Sequence, residues 1–388
     1  MHFNKNIITN YFIYNMDMIK GNINKEDFLR VYNEKCPGHQ YVPAILPGVE
    51  RLLVFGDIHG DYNLFIRLLN IGKLISVSST GDINWVGGST YVVQVGDQID
   101  RCRPINNMLC TNPNTTYQDE ASDLKIMNLC NKLNNQAILV GGAFISLLGN
   151  HELMNASGVL SYVSYLGGKE FEGYIDPQNP EIKFSSGMHA RAYAFSPGNE
   201  IGKMMGCTRL PAVIIGDHLF VHAGLVDGLI NEIGLSEKSD LESINIAIRM
   251  WLLGILKKKH IKNIIKSSKY SMFWTRILGN IPPNVELSNP VCVEHIGKVL
   301  KMFNVGSIII GHTPQSFMYS DDINQTCSGK IWRVDNGSSS AFHRFDYDMM
   351  SKGSVKYSRR PQVLEIINNS EYFILDGIIK KRIDVNNV

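Results

Sequence analysis

The sequence lacks an apolar run long enough to cross a membrane, and it lacks an excess of charge of either sign. Its longest apolar run, residues 137–148, contains two glycines, so it indicates a buried segment rather than a membrane span. Basic and acidic residues number 38 and 36, which gives a formal net charge of +2. This balance predicts neither a nucleic-acid partner nor a membrane partner. Residues 1–22 have no clean apolar core of a signal peptide, which favours the cytoplasm.

Cysteine is also scarce. The seven cysteines are odd in number and scattered, and no CxxC pair occurs. This pattern argues against a disulfide framework and against a structural zinc site, and it is typical of a reducing compartment. Cys102 and Cys110 lie close together beside a motif described below. We expect two ordinary thiols there, with a local disulfide or redox control as the alternative.

The composition that remains is that of a globular protein with a sizeable core. Hydrophobic residues make up 44% of the chain and charged residues 19%, and no internal repeat or low-complexity linker occurs. We predict one α/β catalytic domain over residues 50–388, preceded by a partly disordered extension over residues 1–49. Within the extension, residues 25–33 favour a short helix. Near the end of the chain, the apolar runs 363–367 and 372–379 are expected to form edge strands that close the domain.

A repeating pattern begins after the extension: a short apolar run ends in glycine or histidine, and polar side chains follow at once. Such runs are typical of buried strands, and residues 62–75 between the first two have a partly helical spacing. Strand, helix, strand is the alternation of an α/β fold, in which ligands bind beyond the carboxyl ends of the strands. The polar clusters can therefore converge on one site. The predicted strands are residues 52–55, 91–95, 144–148, 219–221 and 307–310.

The side chains after these strands are the kinds that bind transition metals. Taken singly, each cluster could be a turn, a helix cap or a buried histidine. Taken together they provide two aspartates, three histidines and one asparagine, which suit manganese, iron or zinc rather than calcium. A shared carboxylate with terminal ligands on either side is what a pair of metal ions requires. The predicted ligands are Asp57, His59, Asp97, Asn150, His222 and His312.

The motifs around these residues resemble those of the calcineurin-like metallophosphoesterase superfamily: GDIHG (56–60), GDQIDR (96–101), GNHE (149–152), VHAG (221–224) and GHTPQ (311–315). Further segments are similar to the phosphoprotein phosphatases, and within them to the Shewanella-like protein phosphatase branch. Those segments are WVGG (85–88), FWTR (273–276), RVDNGS (333–338) and PQVLE (361–365). The resemblance covers about residues 51–367 and implies an α/β sandwich of two mixed β-sheets flanked by helices.

The resemblance also implies how the ligands share two divalent transition-metal ions per chain. Asp97 would bridge the two ions. Asp57 and His59 would complete the first ion. The second ion would be completed by Asn150, His222 and His312. Manganese is the favoured ion, with iron or zinc as the alternatives.

The same resemblance implies a catalytic apparatus. Arg101 and Arg276 are similar to the arginines that clamp the phosphate, because a planar guanidinium matches an oxyanion bidentately, and Asn150 would contact the phosphate as well. His151 matches the general acid that protonates the leaving oxygen, and Asp100 would orient it. The expected reaction is in-line attack by a metal-bridging hydroxide, without a covalent enzyme intermediate.

Three functions are open at this point. The first is a protein phosphatase that hydrolyses phosphomonoesters of serine, threonine or tyrosine. The second is a small-molecule phosphoesterase, such as a dinucleoside polyphosphate hydrolase, which Ala223 favours because alanine is common at that place in those enzymes. The third is an inactive binding scaffold, which is disfavoured because every ligand position is filled. Cys102, which follows Arg101 where the phosphatases usually have glycine, bears on the substrate class and not on the metal ligands.

Overall fold

A computed structural model of the chain describes residues 25–105, 108–346 and 360–385. The disorder predicted at the start of the extension concerns residues outside these ranges. The described residues form two large mixed β-sheets and a small hairpin, flanked by helices. The predicted sandwich fold is therefore confirmed. None of the helices in the described ranges is long and apolar enough to cross a membrane.

The strands in chain order are β1 (Ile45–Leu46), β2 (Arg51–Phe55), β3 (Ile75–Val77), β4 (Ile83–Trp85), β5 (Tyr91–Gln94), β6 (Ala143–Leu147), β7 (Arg209–Leu210), β8 (Ala212–Ile215), β9 (His218–Val221), β10 (Ser307–Ile310), β11 (Asn324–Thr326), β12 (Ile331–Arg333), β13 (Val363–Ile367), β14 (Glu371–Leu375) and β15 (Lys380–Ile383). All five strands predicted from the apolar runs are confirmed to within one residue at each end. Strands that are buried on both faces have continuous apolar sequences, and for this reason the five strands could be predicted from the sequence.

The seven-stranded sheet has the order β15-β14-β13-β2-β5-β6-β7, and the six-stranded sheet has the order β1-β8-β9-β10-β12-β11. In the first sheet, β2, β5, β6 and β7 are parallel neighbours. In the second sheet, β9, β10 and β12 are parallel neighbours. The carboxyl ends of each parallel set therefore lie along one edge of its sheet, which is where a site in such a fold forms.

The helices are α1 (Lys25–Lys35), α2 (Tyr62–Ile71), α3 (Asp123–Ala137), α4 (Asn150–Ala156), α5 (Tyr165–Lys169), α6 (Gly187–Phe195), α7 (Glu200–Thr208), α8 (Asp227–Ile233), α9 (Asp240–Leu252), α10 (Lys262–Ile265) and α11 (Pro290–Phe303). Side-chain caps set several of their starts, because a polar side chain can satisfy an unpaired N–H of the first turn. Asp61 accepts from the backbone N–H of Leu64 at the start of α2, and Asn289 caps α11.

Apolar side chains of the two sheets meet in one buried layer. Val54 and Val93 from the first sheet pack with Phe220, Ile309 and Trp332 from the second, and all five are fully buried. Each such side chain contributes about 1.5–3 kcal/mol when it leaves water. This layer fixes the two sheets against each other, and with them the strand ends that carry the site.

Residues 25–49 pack onto the sandwich. The predicted helix is confirmed as α1, and its buried Tyr32 donates a hydrogen bond to the carbonyl oxygen of Cys207 at 2.7 Å. Strand β1 then pairs in parallel with β8. The domain boundary at residue 49 stays a prediction, although these contacts tie the extension to the rest of the chain.

The two apolar runs near the end of the chain do form strands, but the prediction that these strands lie at the edge of a sheet is wrong. Strand β13 lies between β2 and β14, and β14 lies between β13 and β15. The strand at this edge of the sheet is β15. Its sequence KKRI is too basic to predict a buried strand. Charged side chains are typical of an exposed edge, because they discourage pairing with another chain.

The prediction that the cysteines form no disulfide framework is also wrong. Three disulfides join Cys36 to Cys207, Cys102 to Cys110, and Cys292 to Cys327, with Cα–Cα distances of 5.4, 5.8 and 5.9 Å. Cys130 is the free, buried cysteine. Two of the pairs join residues 171 and 35 positions apart, so no local spacing could reveal them. With these three disulfides, the cysteines no longer indicate a reducing compartment.

Candidate active site

The predicted polar clusters lie together where five strands end. They follow β2, β5 and β6 of one sheet and β9 and β10 of the other. Every predicted ligand is 6% exposed or less. The residues brought together in this way are Asp57, His59, Asp97, Asn150, His222 and His312.

Four site residues have a left-handed backbone. The φ angles are 50° at His59, 53° at Asp97, 71° at Asp100 and 66° at His312. Each such residue costs on the order of 1–3 kcal/mol, and it persists only where the surroundings hold it. The backbone N–H groups of Ile58 and His59 both donate to the Asp97 carbonyl oxygen, at 3.0 and 2.9 Å. These bonds fix the two loops against each other.

Glu152 holds the loop that carries Asp97. Its buried carboxylate accepts hydrogen bonds from the backbone N–H groups of Asp97 at 3.0 Å, Gln98 at 2.8 Å and Gly149 at 2.7 Å. A side chain on Gly149 would meet the Asp97 carboxylate, because a Cβ there would lie 2.1 Å from Oδ1. The glycine of the GNHE motif is therefore required for this close approach.

Two buried groups of ligand atoms share Asp97. In one group, atoms of His59, Asp97 and His151 lie within 4.8 Å of one another, and in the other, atoms of Asp97, His222 and His312 do so. Asp97 Oδ2 is 3.8 Å from His59 Nε2 and 3.3 Å from His222 Nε2. One carboxylate placed between two sets of imidazoles is the arrangement that two neighbouring metal ions require.

Asp57 and Asn150 adjoin these groups. Asp57 Oδ2 lies 3.7 Å from His59 Nε2, and its carboxylate accepts the backbone N–H of His312 at 3.1–3.2 Å. Asn150 Oδ1 lies 3.0 Å from His222 Nε2. Both side chains thus present an oxygen beside an imidazole nitrogen, as the ligand prediction requires.

One ring nitrogen of each histidine predicted to be a metal ligand faces a backbone carbonyl. His59 Nδ1 lies 3.3 Å from Ile99 O, His222 Nδ1 2.9 Å from Val95 O, and His312 Nε2 3.2 Å from Trp274 O. Since a carbonyl only accepts, each of these nitrogens carries the proton. The other nitrogen of each ring is then the one that would bind a metal ion, and its orientation is fixed. 

Burial keeps two of these imidazoles neutral. It lowers the pKa of His59 and of His312 well below the usual range, and the nearby cations Arg103 and His222 respectively act in the same direction. Burial opposes protonation of His222 too, but the Asp97 carboxylate raises its pKa. Because metal ligation needs the neutral imidazole, an ion bound there would displace that proton.

Carboxylates crowd the site without enough protein cations beside them. Burial, followed by the neighbouring Asp335 and Asp97 carboxylates, raises the pKa of Asp57 well above its usual range. Burial raises the pKa of Asp335 to about 6. Asp335 Oδ2 is buried and has no hydrogen-bond partner among the described residues. Buried carboxylates of this kind call for a cation, so the donor set fits divalent transition-metal ions.

His151 and Asp100 form a buried pair at the edge of the site. His151 Nδ1 lies 2.8 Å from Asp100 Oδ2. The Asp100 carboxylate also accepts from Asn155 Nδ2 at 3.0 Å and from Arg191 Nη2 at 3.3 Å. A carboxylate held in this way fixes the orientation of the imidazole.

A cavity of about 520 Å³ opens over these residues. Part of its lining, called the floor below, consists of the buried polar side chains of His59, Asp97, Asn150, His151 and His312. The other part, called the rim below, is largely aromatic and includes Tyr162, Trp274, Phe317, Phe342 and Phe345. A polar floor below an apolar rim suits a phosphate group attached to a larger, partly apolar substrate.

The two predicted phosphate arginines differ in their positions. Arg276 lines the cavity, and its Nη1 donates to the His312 carbonyl oxygen at 3.1 Å. Arg101 does not line the cavity, because its guanidinium is bonded to Glu120 and to backbone oxygens. Arg103, two positions later, lines the cavity instead.

Several residues of the site were not identified from the sequence. Glu152 is part of the GNHE motif, but its hydrogen bonds to three backbone groups appear only in the structure. Asn155 and Arg191 support Asp100 through contacts between distant segments. Asp335 lies in the RVDNGS segment that carried part of the family resemblance, but the segment did not indicate what Asp335 does in the site. Nothing in the sequence indicated that Arg103 belongs to the site, apart from its position directly after Cys102.

Cys327 and Arg333 have the Cys-x5-Arg spacing of a cysteine-nucleophile loop, but the structure excludes that role. Cys327 is joined to Cys292. Arg333 is buried, and its Nη1 donates to the carbonyl oxygen of Ile281. Neither residue lines the cavity. The expected reaction without a covalent enzyme intermediate stays a prediction.

Comparison with known proteins gives the family. The family model for calcineurin-like phosphoesterases matches residues 50–316. The uncharacterized protein R398 of Acanthamoeba polyphaga mimivirus is 38% identical over 63% of this chain and 96% of its own. Shewanella-like protein phosphatase 2 of Arabidopsis thaliana is 29% identical over 83% of this chain and 76% of its own. Shewanella-like protein phosphatase 1 of Plasmodium berghei is 26% identical over 74% and 67%.

The fold has relatives among solved structures. The crystal structure of a cold-active protein-tyrosine phosphatase from a psychrophilic Shewanella species superposes with a TM-score of 0.60 at 22% identity, covering 89% of this chain and 83% of the other. The predicted likeness to the Shewanella-like protein phosphatases is confirmed by the two sequence relatives of that name, and the solved structure shares the fold. With its buried aspartate and histidine clusters, the chain belongs to the calcineurin-like phosphoesterase family and is a metal-dependent phosphoric ester hydrolase.

Proposed function

We propose that this phosphatase uses two metal ions to hydrolyse phosphomonoesters of proteins, on serine, threonine or tyrosine. The observation that carries the proposal is the position of Asp97, shared by two histidine clusters beneath one cavity that is also lined by His151, the partner of the buried Asp100. Asp57 and His59 would hold one ion. The residues that would hold the other are Asn150, His222 and His312.

The two ions, when bound, supply an activated water and neutralise charge on the phosphoryl oxygens. The protein side chains do the rest. Arg276 would bind the phosphate with its guanidinium fork, and the Asn150 amide would donate to it. His151, held by Asp100, would give the proton on its Nε2 to the leaving oxygen. Asp100 would keep the imidazole oriented towards the leaving oxygen during this transfer.

The shape of the cavity favours a protein substrate. The aromatic rim contributes apolar surface beyond the polar floor, where the residues that flank a phosphorylated side chain would pack. Two relatives are named as protein phosphatases. Ala223, the residue that favoured a dinucleoside polyphosphate hydrolase, is fully buried and does not line the cavity. Its backbone N–H donates to the Met272 carbonyl oxygen, so its side chain has no direct means of selecting a substrate.

A substrate panel tests the proposal. The manganese-loaded protein is assayed with phosphoserine, phosphothreonine and phosphotyrosine peptides, and in parallel with dinucleoside polyphosphates. We expect at least one peptide class to be hydrolysed with a higher kcat/KM than any dinucleotide. A preference for dinucleotides would overturn the protein-phosphatase assignment, while leaving the phosphoesterase chemistry intact.

Arg276→Lys separates phosphate binding from metal binding. Lysine keeps the charge but loses the bidentate fork, so we expect kcat/KM to fall about 10–100-fold, as for loss of one or two charged hydrogen bonds. The metal content should stay unchanged, and it is measured on the same samples by elemental analysis. A variant with wild-type kinetics would show that Arg276 only supports the His312 loop.

A further inference from the structure

Two arginines flank Cys102, and the first of them is already engaged within the protein. Arg101 Nη1 donates to the Glu120 carboxylate at 2.8 Å and to Gly60 O at 3.0 Å, and Nη2 donates to Gln118 O at 3.0 Å. Its side chain is 3% exposed. Arg101 therefore ties the loop after β5 to the turn after β2, and both of its terminal nitrogens have protein acceptors.

The second arginine, Arg103, has donors to spare. Its Nη1 donates to the carbonyl oxygens of Asp100 at 3.0 Å and Cys102 at 2.8 Å. Among the described residues, no acceptor faces its Nε or Nη2, and no carboxylate oxygen lies within 4.0 Å of the guanidinium. Arg103 lines the cavity nevertheless. A largely buried cation without a paired anion, and with free N–H groups, is suited to an anionic ligand.

Two aromatic rings place this guanidinium next to the catalytic histidines. Arg103 Cζ lies 4.7 Å from the centre of the Phe342 ring and 5.7 Å from that of Tyr162. Phe342 packs edge-on against His59 at 5.3 Å, and Tyr162 packs edge-on against His151 at 4.9 Å. The guanidinium is thus held between a ring that contacts a predicted metal ligand and a ring that contacts the predicted general acid.

A disulfide fixes the backbone beside Arg103. Cys102 is bonded to Cys110, and its backbone N–H donates to Tyr162 O at 3.1 Å. Between β5 and α3 the described residues form no helix or strand, only an isolated bridge between Ile105 and Met108. The cross-link therefore supplies the order that secondary structure does not supply in this segment.

We propose that Arg103, and not Arg101, gives the second guanidinium to the substrate phosphate, and that the Cys102–Cys110 disulfide positions it. This inference rests on the proposed phosphatase function and assigns one of its binding groups. Arg103 would use Nε and Nη2 to hold the phosphate from the side of the cavity formed by Tyr162 and Phe342. Arg276 holds it from the side formed by Trp274 and His312.

Matched variants of the two arginines test the first half of the proposal. Arg103→Lys and Arg101→Lys are compared by binding of inorganic phosphate to the manganese-loaded protein in a calorimeter, and by kcat and KM with p-nitrophenyl phosphate. For Arg103→Lys we expect phosphate affinity to fall about 10–100-fold, with wild-type metal content and melting temperature. For Arg101→Lys we expect the melting temperature to fall and phosphate affinity to change less than for Arg103→Lys. The reverse ranking of the two affinities would overturn the proposal.

Cys110→Ser tests the second half. We expect KM to rise with kcat largely retained, in the same direction as for Arg103→Lys but by a smaller factor. The double variant Arg103→Lys/Cys110→Ser should be no weaker in phosphate binding than Arg103→Lys alone, because both changes remove the same contact. Cys292→Ser breaks a disulfide away from the cavity and serves as the control for loss of a cross-link. Multiplicative effects of the first two changes would overturn the positioning role.

Treatment of the folded wild-type protein with dithiothreitol provides the same comparison without a mutation. The dithiol gives up two electrons and two protons, becomes a cyclic disulfide, and leaves two thiols at Cys102 and Cys110. Phosphate affinity should fall in the wild type and stay constant in Cys110→Ser. If p-nitrophenyl phosphate is not hydrolysed by the wild type, the proposed function fails, while calorimetry still ranks the two arginines. Unchanged affinity after reduction, verified by mass, contradicts the positioning role.

Discussion

Asp97→Asn is expected to reduce hydrolysis at least about 10³-fold. Asp97 is common to both ligand groups, so its loss weakens both ions and not one. A metal ion contributes several kcal/mol to stabilisation of the transition state, and each 1.36 kcal/mol is a factor of ten in rate. We expect bound manganese, counted by elemental analysis after dialysis, to fall to fewer than one ion per chain.

The control for Asp97→Asn is Asp384→Asn, since Asp384 is 92% exposed and its carboxylate lies 3.8 Å from the Arg382 guanidinium. That variant removes a carboxylate without touching the site, so its metal content and rate should equal those of the wild type. Asp97→Asn protein that is folded, keeps both ions and turns over at a normal rate would refute the bridging role.

His151→Gln is expected to damage substrates in proportion to the basicity of their leaving group. A serine alkoxide is strongly basic and needs a proton as the bond breaks, whereas nitrophenolate leaves unaided. General-acid catalysis contributes about 10²–10⁴-fold, so hydrolysis of phosphoserine peptides should fall by a factor in that range. Hydrolysis of p-nitrophenyl phosphate should fall much less. The measurement is the ratio of the two kcat/KM values in the variant and in the wild type.

Metal content must be measured beside that ratio, because His151 follows the predicted ligand Asn150 and its backbone N–H donates to Asp97 Oδ1 at 3.0 Å. Asp100→Asn provides the graded comparison, since it weakens the proton donor without removing it and should show a smaller loss with the same bias. If both substrates lose rate equally while the ions stay bound, His151 acts in binding and not as the acid.

The strand ends of the site were predictable, whereas its local geometry was not. Five apolar runs followed by polar residues were enough to place the ligands at the carboxyl edges of two sheets, because buried parallel strands read as continuous apolar runs. The left-handed backbone at His59, Asp97 and His312 gave no sequence signal. Histidine and aspartate adopt a positive φ more often than most residues, but still in a minority of cases, so these positions could not be identified from the sequence and the surrounding contacts enforce the conformation.

The predictions about the cysteines and about Arg101 differ from the structure. An odd count without a CxxC pair suggested free thiols, yet two of the three disulfides join distant segments, and distance in space cannot be read from spacing along the chain. Arg101 stands at the motif position of a phosphate-binding arginine. Its guanidinium, however, donates hydrogen bonds to the Glu120 carboxylate and to the carbonyl oxygens of Gly60 and Gln118. The next arginine, Arg103, follows Cys102 of the Cys102–Cys110 disulfide and does line the cavity.

We expect this chain to hydrolyse phosphomonoesters with two metal ions that share Asp97. The most direct test is a manganese titration of protein stripped with a chelator, in which bound metal and hydrolysis of p-nitrophenyl phosphate are measured on the same samples. We expect no hydrolysis in the metal-free protein, and a rate that rises with added manganese and saturates at two bound ions per chain. Full activity in the metal-free protein, or saturation at a single ion, would contradict it.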